Sequence, residues 1–202
     1  MSTEAPTTGR PRAFDEETVL GRAAEVFWRH GYEGASLSAL TGAMGINRPS
    51  LYATFGSKEQ LFQRAFARYH ESHVAGVRAA LQQPTAYAAI EAFLRNSADG
   101  LTADDHPAGC LSVQGGLACS PENTRVSEIL AAGRAATEAA LQERLSRASE
   151  EGDLPDDVDA RAMARFVMAL SEGHAVHAAA GATREDLHAS VDMAMRAVAL
   201  RP

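Results

Sequence analysis

The chain has 202 residues, 46% of them hydrophobic and only 6% aromatic, and a formal net charge of −7. That charge is uneven: residues 1–70 carry a net +1 and residues 71–202 a net −8, so any contact with phosphate has to come from the first seventy. The longest apolar run is far short of a membrane span and the first residues lack the basic-then-apolar layout of a signal peptide, so a cytoplasmic protein without membrane attachment is expected.

In chain order, residues 1–12 (MSTEAPTTGRPR) show no apolar periodicity and read as a disordered tail, although Arg10 and Arg12 are of the type that reaches a phosphate or a minor groove. Asp15 then caps a helix whose Leu20, Ala23, Ala24 and Phe27 form one stripe, ended at Gly31. Trp28, the lone tryptophan, sits beside that stripe and reads as core.

Residues 31–62, GYEGASLSALTGAMGINRPSLYATFGSKEQLF, read as a short helix, a glycine turn, a second short helix and the capped start of a third. This is the pattern of a helix-turn-helix, whose second helix enters the major groove of DNA. Leu37, Leu40 and Met44 repeat at helical spacing. Gly45 takes the turn, where a residue without Cβ reaches left-handed angles at little cost. Asn47 is placed to cap the next helix, and Pro49 in its first turn forfeits no needed hydrogen bond. Ser57-Lys58-Glu59-Gln60 is a capping-box sequence.

With Leu51 and Phe55 turned inward, Pro49 and Ala53 project away from the core, flanked by Ser50 and Tyr52. Arg48 lies in the first turn, where a long guanidinium can swing to guanine O6 and N7. Ala53 permits close approach and can touch a thymine methyl. Tyr52 and Ser36 can hydrogen-bond phosphates, Ser38 is exposed in the first turn of its helix, and Lys58 adds charge at a helix N-terminus already suited to anions.

The ordered string Gly31-Tyr32, Ser36-Leu37, Leu40, Met44-Gly45-Ile46, Leu51-Tyr52, Phe55, Ser57-Lys58-Glu59 and Leu61 resembles the N-terminal domain of the TetR family of bacterial transcriptional regulators. The likeness covers roughly residues 14–65 without a gap. It implies an all-α protein: an N-terminal three-helix helix-turn-helix domain over 13–60 after the tail at 1–12, then a larger helical domain over 61–202 that binds an effector and dimerises.

Beyond the motif, a helix from Ser57 is expected to run to about Gln82, and another from Thr85 to Ser97 turns Tyr87, Ile90, Phe93 and Leu94 inward. Residues 96–107 are polar and read as a loop, and a short helix follows from about Gly109, loosened by Gly115-Gly116. A long helix is expected over 122–151, with Val126, Ile129, Leu130, Leu141 and Leu145 along one side. EGDLPDD is the plainest linker, followed by helices over 158–180 and 183–200. Met163, Phe166, Val167 and Leu170 make one apolar stripe in this last pair, and Leu187, Val191, Ala194, Met195 and Val198 make another. The resemblance implies a homodimer through these two helices, about 158–200, which would pair two recognition helices on a two-fold double-stranded DNA operator.

An effector pocket implied by the resemblance falls among the middle helices, which offer Tyr69, His73, Phe93 and Leu111. Further candidates are Gln114, Ile129, Phe166 and His174, of which Gln114 and His174 are polar enough to orient a ligand. Ligand identity does not transfer with the resemblance. His70/His73 and His174/His177 are pairs three apart on a helix face, but no cysteine or carboxylate completes a metal site at suitable spacing, so no metal and no cofactor is expected.

GCLSV at 109–113 resembles a segment of one branch of the family in which the equivalent cysteine senses oxidants or electrophiles, so Cys110 is a redox candidate. Cys110 and Cys119 would be separated by about 13 Å of rise on an unbroken helix, too far for a disulfide, unless Gly115-Gly116 breaks it. A small buried core cysteine is the favoured reading. No Ser/His/Asp set or phosphate loop supports an enzyme. The expected protein is therefore a regulator released from a palindromic operator by a small, largely apolar effector. The alternatives are a thiol-switched repressor using Cys110, or a helical ligand-binding protein without DNA binding.

Overall fold

A computed structural model describes residues 15–115 and 119–198. The tail with Arg10 and Arg12, Gly116 and Leu200 lie outside these residues. The described residues form helices α1 (Glu16–Gly34), α2 (Leu37–Met44), α3 (Arg48–Phe55), α4 (Lys58–Leu81), α5 (Ala86–Leu101), α6 (Leu111–Gln114), α7 (Thr124–Glu150), α8 (Ala160–Ala179) and α9 (Arg184–Ala197).

The first four helices begin where short polar side chains take up free backbone N–H groups. Asp15 accepts from the Glu17 and Thr18 N–H groups, Ser36 from Ala39, Asn47 from Ser50 and Ser57 from Gln60. The Ser57 cap is a single bond rather than the expected reciprocal box, because the Ser57 N–H donates to the Phe55 carbonyl at 2.9 Å. Gly45, at φ 68°, ends α2 in the left-handed region and makes the turn into α3.

The head is held by an aromatic nucleus. Phe27 and Phe62 meet edge to face at 5.0 Å, and Leu40, Leu51 and Leu61 are fully buried beside them. This core runs past residue 60 through Phe62 and Phe66 of α4 and takes in Leu111, Val126 and Leu130 of α6 and α7. The long helix α4 is thus a shared beam, packed at one end on α1 and at the other on α5. At Gly133 of α7 an added Cβ would stand 3.1 Å from Phe66, so the absence of a side chain lets α7 approach α4 closely.

Three expectations are corrected. Helix α5 runs on to Leu101 rather than ending at Ser97, because Leu94, Ala98 and Leu101 keep the buried spacing of i, i+4 and i+7. The long helix starts at Thr124, after a single 3-10 turn at Pro121–Asn123. The stripe Leu187, Val191, Ala194, Met195 and Val198 is buried inside its own chain, with Val191 fully enclosed, and is not a free dimer face. The large apolar side chains left open on the last two helices are Phe166, Val176 and Met193.

Arg144, unremarked in the sequence, is buried and donates to the carbonyls of Leu81 at 3.2 Å and Gln83 at 3.0 Å. It closes the C-terminal end of α4, where the last carbonyls lack helical partners.

Candidate DNA-reading surface and interior cavity

Helix α3 is fixed by its two inward residues, Leu51 and Phe55, and stands with its other face in solvent. Arg48, Pro49, Tyr52 and Ala53 are exposed and Ser50 is half-buried, so the residues expected to meet base edges share one open face. Tyr52 is 47% exposed, which leaves its ring and hydroxyl free to reach out. Ser36 and Ser38 are exposed at the start of α2. The Ser36 oxygen already accepts the Ala39 N–H at 3.0 Å, so its hydroxyl proton is what it has left to offer a phosphate.

Lys58 is more enclosed than its sequence position implies. Its Nζ sits 4.5 Å from the centre of the Tyr32 ring, and burial lowers its pKa while the nearby Glu33 carboxylate opposes that shift. Glu33 itself accepts the Ser120 N–H and an Asn123 amide N–H, both at 2.8 Å, tying the end of α1 to the start of α7. These two hydrogen bonds hold its carboxyl below the usual range.

Sequence reasoning missed Arg64. It pairs with Glu16 of α1, lies 5.0 Å over the Phe55 ring and donates to the Thr54 carbonyl at 3.5 Å, bracing the end of α3. Its only signal was a cation seven residues past the Ser57 cap, which any solvated helix can show.

Between the head and the C-terminal helices lies a cavity of about 630 Å³. Tyr69, His73 and Phe93 line it as expected positions on α4 and α5, and Cys110 joins them at the start of α6. The other expected lining residues do not. Leu111 is drawn wholly into the core of the head, and Ile129 packs against that same core. The Gln114 amide folds back over Gly109. Phe166 points outward and is 45% exposed. His174 is buried but faces α9, where its Nε2 meets the Ser190 hydroxyl at 2.9 Å.

The cavity instead recruits Trp28 from α1, which meets Tyr69 edge to face at 5.0 Å and stacks on His106 at 4.7 Å. Arg134 of α7 crosses its wall, donating to the Ser112 carbonyl and pairing with Glu172 of α8 at 3.5 Å. Burial pushes the Tyr69 phenol far above its ordinary value and lowers the His73 imidazole, which His70 beside it lowers further. Both are uncharged near neutral pH.

Cys110 and Cys119 are free thiols. The Cys110 sulfur lies 3.1 Å from the Tyr69 hydroxyl and 2.9 Å from that of Ser112. Helix α6 ends at Gln114, so the two cysteines do not share a continuous helix. Among the described residues no group of three His, Cys, Asp or Glu side chains gathers as a metal site, and no helix is long and apolar enough to cross a membrane.

Comparison with known proteins accounts for both halves. Residues 19–65 match the model of bacterial regulatory proteins of the tetR family, and residues 86–198 match the tetracyclin repressor-like C-terminal domain. The HTH-type transcriptional repressor ComR of Escherichia coli K12 is 33% identical over 181 residues, covering 89% of this chain and 86% of that protein. The regulator CifR, solved as a cysteine-substituted variant with 26-base-pair double-strand operator DNA, is 44% identical at a TM-score of 0.89, over 93% of this chain and 99% of that one. A putative TetR regulator from Rhodococcus sp. RHA1 is 40% identical at a TM-score of 0.62, over 91% of this chain and 98% of its own. Two matched domains, an open recognition helix and full-length relatives agree: the chain belongs to the tetR family and is a DNA-binding transcriptional regulator.

Proposed function

We propose that the chain is a homodimeric repressor that leaves a palindromic operator when a small, largely apolar molecule fills its interior cavity. The observation that carries this reading is the makeup of the cavity wall. Trp28 belongs to the first helix of the DNA-binding head, yet it stacks on His106 and meets Tyr69 in the wall of the same cavity. A molecule entering there works against contacts that set the angle of the head. It then favours a conformer whose recognition helices are wrongly spaced for two successive half-sites.

In this reading Arg48 reads a base edge, with Pro49, Ser50, Tyr52 and Ala53 shaping the approach, and Ser36, Ser38 and Lys58 hold phosphates. The dimer forms through the open faces of α8 and α9, where Phe166, Val176 and Met193 are exposed. Relatives that are repressors and that bind operator DNA support the mode of action.

The test is a screen of small apolar compounds for operator release, followed by anisotropy on a cavity-filled variant. Gly76, in the cavity wall on α4, is exposed and an added Cβ there meets nothing within 4 Å, so Gly76→Leu adds apolar bulk at the mouth of the cavity. Releasing compounds should lose their effect on Gly76→Leu while operator affinity stays within about threefold. Compounds that release wild type and variant alike would place the effector elsewhere.

A second reading is favoured by one observation: Cys110, although buried, lines the cavity with its sulfur against two hydroxyls. An oxidant or electrophile that enters the cavity would meet that thiol, and modification would occupy the space a ligand otherwise fills. Peroxide- or quinone-triggered release that disappears in Cys110→Ser and persists in Cys119→Ser would establish this version.

A further inference from the structure

Resting on the reading of the cavity as the effector site, we propose that its ligand is an uncharged aromatic molecule, ring-stacked on the Trp28 side and hydrogen-bonded by neutral hydroxyl groups. Three features of the wall point there. First, aromatic groups cluster on one side: Trp28 lies against Tyr69 and His106, and the Tyr69 and His73 rings are nearly parallel, 6.4 Å apart. Such faces favour a flat π-system at offset or edge geometry over an alkyl chain.

Second, the wall carries a set of neutral polar groups. Ser97 and Ser171 hydrogen-bond each other at 2.8 Å, and both line the cavity with Asn96, Ser112 and the Tyr69 hydroxyl. The Trp28 indole N–H is buried without a partner among the described residues, an unspent donor in the same wall. A ligand carrying a hydroxyl or carbonyl can use such groups, because each hydroxyl can donate or accept.

Third, among the described residues the half-buried charges of the wall, Arg134 and Glu172, are paired with each other rather than free to balance a charged ligand. Arg134 is spent on Glu172 and on the Ser112 carbonyl. An anion that drew Arg134 away would leave Glu172 without its partner, and a cation that drew Glu172 away would do the same to Arg134, so a charged ligand exchanges one ion pair for another and gains little. The remaining charged residues of the wall, Arg22, Glu25 and Arg68, are exposed to solvent, and Arg68 pairs with Glu17 at 3.4 Å.

The experiment is calorimetric titration of the full chain with 1-naphthol, 1-naphthoate, 1-naphthylmethylammonium and decanol at neutral pH, repeated on Gly76→Leu. Trp28 is the single tryptophan, so its emission gives a second readout from the cavity wall. The expected result is naphthol binding at least tenfold tighter than either charged isostere and tighter than decanol, a changed Trp28 emission, and a tenfold loss in Gly76→Leu. Equal or tighter binding of naphthoate, the ammonium or decanol would overturn the assignment, as would naphthol binding unchanged in Gly76→Leu. Operator anisotropy separates this claim from the one beneath it. Naphthol that binds with the expected preference yet leaves operator bound refutes effector release and not the ligand class; release by a charged compound lost in Gly76→Leu refutes the class and not the release.

Discussion

Introducing a carboxylate at Val191 should destabilise the protomer itself rather than merely split a dimer. Val191 is 0% exposed within its own chain, in the core shared with Ile90, Leu94 and Val167. Losing the buried valine surface costs roughly 1.5–3 kcal/mol. A glutamate there must also be stripped of water in that apolar core, a penalty of at least several kcal/mol more unless it takes up a proton. Against a typical total of about 5–15 kcal/mol, the loss is a large share of the whole stability. At roughly 2–4 °C per kcal/mol for a chain of this size, a loss of ~5 kcal/mol lowers Tm by about 10–20 °C. Met193, by contrast, is 62% exposed and Phe166 is 45% exposed, so a Phe166→Glu/Met193→Glu double variant should keep its fold and lose its partner. Circular dichroism melts and sedimentation on both variants separate the cases. A native, monomeric Val191→Glu protein with an unchanged Tm would refute the packing argument, and a dimeric double variant would refute the interface.

Arg48→Ala should relax base preference at one position of each half-site, whereas Lys58→Ala should weaken binding to all sequences and lower the salt slope by about one, read from isotherms at several salt concentrations. Cys110→Ser should leave effector-driven operator release within about threefold of wild type if the thiol only packs; abolition of oxidant-triggered release by the same change would make it the sensor. His73 is held below its ordinary value by burial and by His70, so the unfolded chain takes up the proton first as pH falls. Stability should be full above about pH 6.5 and decline as pH drops through that value toward the folded one, and urea melts of His73→Gln should show a smaller decline than wild type.

The DNA-binding unit was legible because its determinants are local. Asp15, Ser36, Asn47 and Ser57 each cap the helix that follows them within three residues, and Gly45 makes its turn within the same short span. The interior cavity was legible only by region. Trp28 and His106 are far apart in the chain, and nothing in either neighbourhood marks a stacked pair. Phe166 and His174 failed as lining residues because helical spacing says which side chains share a face, not which face meets the cavity. The same ambiguity turned the stripe from Leu187 to Val198 into intrachain core. Helix α5 outran its expected end because Ala98, though small, is fully buried and weighs little in a hydrophobic pattern.

Selection of bound sequences from a random pool of DNA duplexes tests the central claim most directly. The account predicts an enriched site of two inverted half-sites, with one symmetric pair of positions losing its preference in Arg48→Ala. No enrichment over random sequence, or an asymmetric site indifferent to Arg48, would contradict a two-fold repressor that reads DNA through α3.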